Sequence, residues 1–309
     1  MERLAPPGAS LGVAVSGGPD SLALLLLAAA ARPNKVEAAT VDHALRPDSA
    51  AEAAAVADLC GQLQVPHATL TAQWDRRPDT AVQERARAER YRLLGRWLAE
   101  RGLATLATAH HLDDQAETVL MRLARGAGVR GLAGIRPLGP LPGGRHRLIR
   151  PLLGWSRDEL GAVCEAAGVD PVHDPGNKDE QFERVRVRHA LAVAQWLDPR
   201  AIARSATNLT AADLALDWAA AREWERSVER GEQQIAYRPA QTPPEIRRRI
   251  VSRALGMVAT EGQDTALRGR EIDQLLEILR SGGTATLRGA RCSGGEVWTF
   301  APAPPRRQA

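Results

Sequence analysis

Along the first half of the chain, two kinds of apolar segment follow one another in regular order, separated by polar residues. Short apolar runs rich in valine predict buried strands, and the longer alanine- and leucine-rich runs that follow them predict helices. The predicted strands are Leu11–Val15, Val36–Val41, His67–Leu70, Ala104–Ala109 and Leu148–Pro151. The predicted helices are Ser21–Ala31, Ser49–Leu63, Thr80–Arg101, Asp113–Arg125 and Ser156–Ala167. This alternation is typical of an α/β fold with a parallel, Rossmann-like sheet.

The pattern changes toward the second half. Residues 136–147 are rich in proline and glycine and predict a loop, and helical spacing dominates after residue 199. Residues 244–281 predict two helices, while Thr284–Leu287 and Glu296–Phe300 flank a Ser-Gly-Gly triplet and predict an antiparallel hairpin. We therefore expect an α/β domain, a smaller mainly helical domain with a C-terminal β-hairpin, and a disordered tail, over residues 1–199, 200–301 and 302–309.

A polar loop, Ser16-Gly17-Gly18-Pro19-Asp20-Ser21, separates the first predicted strand from the first predicted helix. Asp20 or Ser21 is expected to cap the helix by accepting a hydrogen bond from a free N–H group. A strand, a glycine turn and a helix N-terminus together make an anion site, because free N–H groups and the helix dipole point at it. An ordinary strand-to-helix joint is the alternative. Neither a Walker A loop nor a G-x-G-x-x-G fingerprint is present here.

Polar clusters follow three of the predicted strands, at the point where each strand ends. They are Ser16–Ser21, Asp42–Arg46 and His110–Thr118. Ligands bind beyond the carboxyl ends of the strands in a parallel sheet. We therefore expect the three loops to meet at one edge of the sheet, around one site.

The third cluster, HHLDDQAET, places two imidazoles and three carboxylates in nine positions, 110–118. In a helix that begins near Asp113, Asp114 and Glu117 share one face at i and i+3. Carboxylates also suit any helix start, so a capped and solvated helix end is the alternative. As a functional site, Asp114 would help to hold Mg²⁺, which prefers few carboxylates plus phosphate oxygens. Zinc fits poorly, because HExxH spacing is absent and no cysteine is near.

Composition narrows the class of protein. The chain has 309 residues, of which 44% are hydrophobic and 25% charged, as in soluble globular proteins. The apolar run Leu22–Ala31 is too short to span a bilayer and follows no signal peptide, so we expect a cytoplasmic protein with no membrane partner. Its three cysteines form no CxxC pair, and we expect them to be small buried residues.

Charge adds one observation. The net charge is +4, and lysine occurs only at Lys35 and Lys178, so nearly all cations are arginines. Arginine suits phosphates and stacks on bases, which is compatible with an RNA partner. A composition bias of the whole genome would give the same excess.

Several motifs resemble those of known families. SGGPDS, residues 16–21, resembles the SGGxDS motif of the PP-loop ATP pyrophosphatases, which cleave ATP between its α and β phosphates. Five further segments, in the same order along the chain, resemble motifs of the tRNA(Ile)-lysidine synthetase family. They are VDHALR (41–46), ARAERY (86–91), HHLDDQAET (110–118), RGAGVRGLAGI (125–135) and DPGNKDEQFERVRVR (174–188). Gly176 and Val185 depart from the residues usual in that family, serine and asparagine.

The resemblance implies a fold and a reaction. The first domain would be an adenine nucleotide α-hydrolase-like, PP-loop ATP-binding catalytic domain, and the second would bind tRNA. The substrates would be ATP with Mg²⁺, free L-lysine and the isoleucine tRNA with a CAU anticodon. ATP would adenylate the C2 oxygen of the wobble cytidine with release of pyrophosphate, and the side-chain amine of lysine would then displace AMP to form lysidine. The oligomeric state stays open, with a homodimer as one option.

The resemblance also implies roles for residues. ATP binding falls to Ser16, Gly17, Gly18, Pro19, Asp20, Ser21, Asp42 and His43. The metal ligands, through ATP, would be Asp20 and Asp114. The catalytic set is Asp20, His110, Asp114, Glu117 and Arg184, in which Glu117, His110 and Asp114 are alternative acceptors of the amine proton. Contacts to tRNA are expected from Arg87, Arg186, Arg188, Arg288 and Arg291.

The arginine run near residue 186 allows a structural prediction. Arg184, Arg186 and Arg188 lead into a helical pattern, so we expect a helix in which Arg184 and Arg188 share a face and Arg186 turns away. Two rival functions remain at this point. One is a PP-loop tRNA thiolase, which usually needs paired cysteines or an iron–sulfur site. The other is a non-catalytic nucleotide-dependent RNA-binding module, which has less use for so many carboxylates near a phosphate.

Overall fold

The computed structural model describes residues 4–6, 8–44, 49–74, 82–172, 181, 183–258 and 269–304. The chain separates into two compact units, Met1–Thr210 and Ala211–Ala309. The point of separation lies inside one long helix, Pro199–Ser227, whereas the sequence pattern places the division at the start of that helix. None of the described helices is both long and apolar enough to cross a membrane.

The first unit is built on a six-stranded sheet in the order β3-β2-β1-β4-β6-β5. Its strands are β1 Leu11–Ala14, β2 Val36–Asp42, β3 His67–Thr71, β4 Thr105–Ala107, β5 Leu138–Pro140 and β6 Arg147–Ile149. Every neighbouring pair is parallel except β5 and β6. The α/β prediction is therefore confirmed, and all five predicted strands are present.

One prediction in this unit is wrong. Residues 136–147 are not simply a loop, because they contain β5, which pairs antiparallel with β6 and aligns Leu138 with Ile149. The composition is misleading here because proline and glycine usually mark loops. An edge strand tolerates Pro140, since one side of such a strand needs no backbone donor.

Among its described residues, the first unit contains seven helices and the first part of an eighth. They are α1 Pro19–Ala31, α2 Ser49–Gln62, α3 Val82–Glu100, α4 Leu112–Leu123, α5 Val129–Leu132, α6 Arg157–Ala166, α7 Glu183–Val193 and the first part of α8 Pro199–Ser227. One core cluster joins α1 to the sheet through side chains such as Leu11, Val13 and Leu25, which are fully buried. A second cluster contains Trp97 and Leu98 of α3. The strands are thereby fixed by packing, and their carboxyl ends are left to carry loops.

The second unit contains a five-stranded antiparallel sheet in the order β7-β8-β11-β10-β9. Its elements after α8 are β7 Val228–Arg230, β8 Ile235–Tyr237, α9 Pro244–Val258, α10 Gly269–Arg280, β9 Thr284–Leu287, β10 Ala290–Ser293 and β11 Trp298–Pro302. Its core holds the buried Tyr237, Trp298 and Phe300. The unit therefore has more sheet than the predicted hairpin.

The predicted pairing of the hairpin is also wrong. β9 pairs with β10, and β11 pairs with β10 and β8, so that the run ending at Phe300 does not pair with Thr284–Leu287. The tight turn lies at Arg288 and Gly289, whose φ angles of 49° and 74° suit a two-residue hairpin. The predicted disordered tail begins at Pro302, which belongs to β11, and its last five residues, 305–309, lie outside the described residues.

Candidate active site

The loop after β1 closes on itself through serine hydroxyls. Ser21 Oγ donates to the carbonyl of Gly18 at 2.9 Å and accepts the backbone N–H of Ser16 at 3.0 Å. Gly17 has a φ of 84°, a conformation that favours glycine. The loop thus presents its backbone beside the N-terminus of α1, the arrangement that binds anions.

Helix α1 begins earlier than predicted. Gly18 is the N-cap, without a side-chain cap bond, and Pro19 occupies the first turn. The prediction of Asp20 or Ser21 as the N-cap is therefore wrong. Pro19 can occupy the first helical position because its φ angle is already helical and the N–H that it lacks would have no partner there, which makes Gly18 the cap. Asp20 consequently lies within the first turn of α1, beside the loop.

The carboxylate of Asp20 faces helix α4. Its Oδ2 lies 3.4 Å from Nε2 of His111, and its Oδ1 is buried without a hydrogen-bond partner in the described part of the chain. An unpaired buried carboxylate oxygen is costly unless a ligand completes it. This oxygen therefore points to a bound group near the loop.

The HHLDD segment starts α4 as predicted, at Leu112. His111 is the N-cap, and the carboxylate of Asp114 accepts the backbone N–H of His111 at 3.2 Å. Nε2 of His111 also lies 3.6 Å from Oδ2 of Asp114. One buried imidazole therefore lies between the first turns of two helices and close to a carboxylate from each.

The protonation of His111 follows from its neighbours. Its Nδ1 lies 3.2 Å from the backbone N of Asp113 and 3.3 Å from Oδ2 of the same residue. A neutral ring would accept the first contact, and an imidazolium would donate to the second. Burial alone would lower the pKa of His111, but the carboxylates of Asp113, Asp20 and Asp114 outweigh it and raise that pKa to about 9. The imidazolium is therefore the favoured form, and it holds the pKa of Asp113 at about 2.

His110 is in the opposite electrostatic state. Its Nδ1 lies 3.0 Å from the hydroxyl of Thr108. Burial lowers its pKa to about 4 despite the nearby Asp114, with Arg150, Arg87 and Arg184 adding to the effect. His110 is therefore a neutral imidazole at physiological pH, directly beside an imidazolium in sequence.

Glu117 is buried, with 1% of its side chain exposed, and is held by two arginines from α7. Nε of Arg188 donates to Oε1 at 2.7 Å, and Nε of Arg184 lies 3.2 Å from Oε2. Arg184 also donates to the hydroxyl of Thr118 at 3.1 Å. The predicted helix and its face are confirmed, because Arg184 and Arg188 share this contact. Arg186 is exposed and donates to the carbonyl of Gln181.

Asp42 and His43 lie where β2 ends. The carboxylate of Asp42 accepts the backbone N–H of Ala44 at 2.8 Å, and the carbonyl of His43 accepts from the indole of Trp74 at 2.8 Å. Nδ1 of His43 is buried without a partner in the described part of the chain. Arg46 of the same motif lies outside the described residues.

The predicted site residues thus fall into separate places. The loop 16–21, His110, Asp114, Glu117, Arg184 and Arg188 belong to the edge at which β1 and β4 end. Arg87 lies on α3 with its guanidinium carbon 5.1 Å from the ring centroid of Tyr91. Arg288 and Arg291 belong to the second unit, where Arg288 pairs with Glu271 at 3.1 Å and Arg291 is exposed.

Two residues that sequence reasoning missed support this site. His111 is one of them, and its signal in the sequence is the pair of imidazoles directly before an acidic helix start. Gln115 is the other: its amide donates to the carbonyl of Ile135 at 3.1 Å and accepts the N–H of the same residue. Gly134, with a φ of 66°, leaves the space for that amide, because a Cβ there would collide with Gln115. This contact ties α4 to the glycine-rich segment 125–135.

The three cysteines are poorly suited to act as nucleophiles. Cys60, Cys164 and Cys292 are buried and unpaired, as predicted. Burial raises the pKa of Cys60 to about 11 and that of Cys292 to about 12, and also raises that of Cys164. A thiolate nucleophile of the kind that thiolases use is therefore disfavoured at each position.

Comparisons with known proteins agree with the geometry. The PP-loop domain family matches residues 4–195. A protein of Novosphingobium aromaticivorans called tRNA(Ile)-lysidine synthase is 45% identical over 303 residues, which cover 97% of this chain and 91% of that protein. One of the same description from Zymomonas mobilis is 41% identical, over 98% of this chain and 92% of that protein.

Among solved structures, the U34-tRNA thiolase NcsA from Methanococcus maripaludis has a similar fold. The TM-score is 0.55 at 20% identity, and the match covers 65% of this chain and 72% of that one. At this identity the likeness concerns the fold alone.

Proposed function

The chain belongs to the tRNA(Ile)-lysidine synthase family of PP-loop enzymes, and from this premise we propose that it joins free L-lysine to C2 of the wobble cytidine in CAU-anticodon isoleucine tRNA. ATP would be used in the process, with release of AMP and pyrophosphate. The observation that carries the proposal is the meeting of Asp20, from the phosphate-type loop, with Asp114 around the imidazole of His111.

The first step forms a bond between the C2 oxygen of the cytidine and the α-phosphorus of ATP. The bond from that phosphorus to the bridging oxygen breaks, and pyrophosphate leaves with the electron pair. Backbone N–H groups of the loop 16–21 and the N-terminus of α1 favour the charge that develops there. A pyrimidine oxygen leaves poorly, and adenylation makes it a good leaving group.

The second step forms a bond between the lysine side-chain nitrogen and C2, and the C2–O bond breaks to release AMP. The amine must also lose a proton. Of the three predicted acceptors, Glu117 is engaged by Arg184 and Arg188, and Asp114 accepts from the N-cap of α4. His110 is neutral and its Nδ1 contacts Thr108, so we assign the proton to its ring.

Magnesium fits the carboxylates of Asp20 and Asp114. The unpartnered Oδ1 of Asp20 offers a free oxygen, and Mg²⁺ takes one or two carboxylates together with substrate phosphates. The described residues contain no cluster of three or more metal-ligating side chains. When bound, the ion would neutralise charge on the phosphates.

The test is an incorporation assay with the full chain. ATP, radiolabelled lysine and a CAU-anticodon isoleucine tRNA are incubated with the protein, and label in the RNA is measured together with AMP and pyrophosphate. We expect one lysine per tRNA, matched by one AMP. Nuclease digestion and mass spectrometry should place the lysine on the wobble cytidine.

Two controls sharpen the test. A transcript with uridine at the wobble position should accept no label. The variant Asp20→Ala should lose adenylation while circular dichroism stays unchanged. Turnover of ATP without label in the RNA would reject the proposal, as would full activity of the variant.

A further inference from the structure

Three arginines gather around one tyrosine ring in the first unit. The guanidinium carbons of Arg87 and Arg90 lie 5.1 and 5.8 Å from the ring centroid of Tyr91. Arg150, which follows β6, interacts electrostatically with the same tyrosine and with Arg87, and it donates to the carbonyl of Arg136 at 2.7 Å. We call Arg87, Arg90 and Arg150 the Tyr91 arginine cluster.

The positive charge of this cluster is not balanced by the described residues. No described carboxylate pairs with Arg87 or Arg90. The nearby Glu89 is bonded to Arg92 at 2.6 and 2.7 Å, and Asp42 accepts from the backbone of Ala44. Burial lowers the pKa of Arg90 and of Arg150, and the charge of Arg87 lowers both further. Like charges held together in this way are costly until an anion binds between them.

Two buried nitrogens beside the cluster lack a partner in the described part of the chain. They are Nε of Arg150 and Nδ1 of His43. Burial and the charge of Arg90 lower the pKa of His43, so its ring is neutral and carries one N–H. Buried polar groups without partners call for an explanation, and a set of donors is explained by an anionic ligand.

The cluster also adjoins the reacting centre. His110 lies close enough to Arg87 and Arg150 to feel their charges, and it feels Asp114 at the same time. An anion in the cluster would therefore lie next to the proposed proton acceptor. The loop 16–21 already serves the phosphates of ATP, and a single arginine suffices for the carboxylate of an amino acid. Several arginines suit a polymer that carries a phosphate at every nucleotide.

We propose that Arg87, Arg90 and Arg150 form a binding site for a phosphate of the tRNA backbone beside the nucleotide that reacts. This inference rests on the proposed function and assigns part of the RNA path in the first unit. His43 would donate a further hydrogen bond to that phosphate.

The experiment uses the full chain and three variants. Arg90→Gln removes one charge of the cluster, and Arg90→Lys keeps the charge. The matched control is Arg96→Gln, on the same helix, where Arg96 is 72% exposed and pairs with Glu100. Filter binding gives tRNA affinity over a salt series, steady-state assays give KM for ATP and for lysine, and circular dichroism checks folding.

We expect Arg90→Gln to bind tRNA roughly 10-fold or more weakly. It should also flatten the slope of log affinity against log salt by about 0.7 to 1. Arg90→Lys should keep the slope, and Arg96→Gln should match the wild type. An unchanged slope in folded Arg90→Gln would overturn the inference. If Arg90→Gln keeps the wild-type salt slope and has a raised KM for lysine, the cluster binds the lysine carboxylate. If it keeps that slope and has a raised KM for ATP, the cluster binds ATP.

Binding is measured without turnover, so the two proposals fail separately. A wild type that binds tRNA and incorporates no lysine would reject the proposed function and leave the phosphate site standing. A wild type that incorporates lysine, with unaltered binding in Arg90→Gln, would reject only the site.

Discussion

His111 is the residue through which the two acidic helix starts meet. Its ring reaches Asp20 of α1 and Asp114 of α4 within 3.6 Å, and it is 2% exposed. A proton on this ring compensates the carboxylates before any substrate binds. In the imidazolium form, Nδ1 of His111 carries a proton and cannot accept the backbone N–H of Asp113. Capping of α4 by a neutral ring and charge compensation by a protonated ring therefore compete for this one nitrogen.

Asp114 can be tested separately from its role in the capping box. The change Asp114→Asn keeps an oxygen for the N–H of His111, and asparagine caps about as well as aspartate. We expect the melting temperature to change little, while lysine incorporation collapses because the carboxylate is lost. Thermal unfolding and activity are measured on the same preparation. If the loss of activity only follows a lost melting temperature, Asp114 is merely a helix cap.

The sequence predicts the local arrangement of this site but not the contacts between residues that are distant along the chain. The i, i+3 spacing placed Asp114 and Glu117 correctly on one face of a helix, because that relation is local. The partners of Glu117 come from α7, 67 and 71 positions further along the chain at Arg184 and Arg188, and no local pattern reveals them. The sequence allows Glu117 as one of three proton acceptors, and only the structure shows that two arginines pair with its carboxylate.

At the scale of elements, α7 presents different arginines to different surroundings. Arg184 and Arg188 face Glu117, and Arg186 is exposed on the other side. The face was predictable from the spacing of two residues once a helix was assumed. The segment before the helix, 173–180, lies outside the described residues, so the predictions for Gly176 there have no structural counterpart.

The two faces of α7 should separate by experiment. We expect Arg184→Ala to lower the rate of adenylation by roughly 100-fold while the salt slope of tRNA binding stays fixed. Arg186→Ala should lower that slope by about 1 and leave adenylation intact. Single-turnover adenylation and a salt series of tRNA affinity measure the two effects. A reduced slope with normal adenylation in Arg184→Ala would refute the assignment of Arg184 to ATP.

The pair of strands β2 and β3 should respond to acid through His67. Nε2 of His67 lies 2.9 Å from the hydroxyl of Thr40, and burial lowers the pKa of its ring. The unfolded chain therefore takes up a proton first as pH falls below about 6.5, and stability decreases toward acid. This loss amounts to at most about 1.4 kcal/mol at pH 5.5.

The variant His67→Gln isolates this effect, because glutamine can keep the bond to Thr40 without titrating. Urea unfolding of both proteins at pH 7.5 and 5.5 gives the comparison. We expect the free energy of unfolding to fall more in the wild type than in the variant. Equal losses in the two proteins would show that His67 plays no part.

Element boundaries were predictable where pattern and end signals agreed, as at α6, where Ser156 and Glu159 form a capping box. They failed where pairing is decided by the rest of a sheet. β10 is short and contains a buried cysteine and an exposed arginine, a weak strand pattern. It forms a strand because it pairs with β9 on one side and β11 on the other, as the middle strand of the meander β9-β10-β11.

At the scale of the whole molecule, each compact unit has its own core and its own sheet. The PP-loop domain family matches residues 4–195, within the first unit. A ligand that binds only the folded state stabilises the part that holds it. Nucleotide should therefore affect the two units unequally.

Hydrogen exchange with mass spectrometry tests this expectation. With a non-cleavable ATP analogue and Mg²⁺ at about 100 times Kd, amides in the first turns of α1 and α4 should exchange up to roughly 100-fold more slowly. Amides of β8 and β11 in the second unit should keep their rates. Asp20→Ala serves as the control and should lose the protection. Equal slowing across both sheets would contradict a nucleotide site confined to the first unit.

The glycine at 134 has a consequence for variant libraries. Any side chain there would push against the amide of Gln115, one residue beyond Asp114 and two before Glu117. In a screen scored only by activity, substitutions at Gly134 would be depleted as strongly as those of a group that meets the substrate. A map of mutational sensitivity would then merge the reactive centre with the position that leaves room for it. Measuring protein abundance together with activity would not fully distinguish Gly134 from residues that contact the substrate. A small shift of α4 abolishes activity at a displacement that still leaves the protein folded.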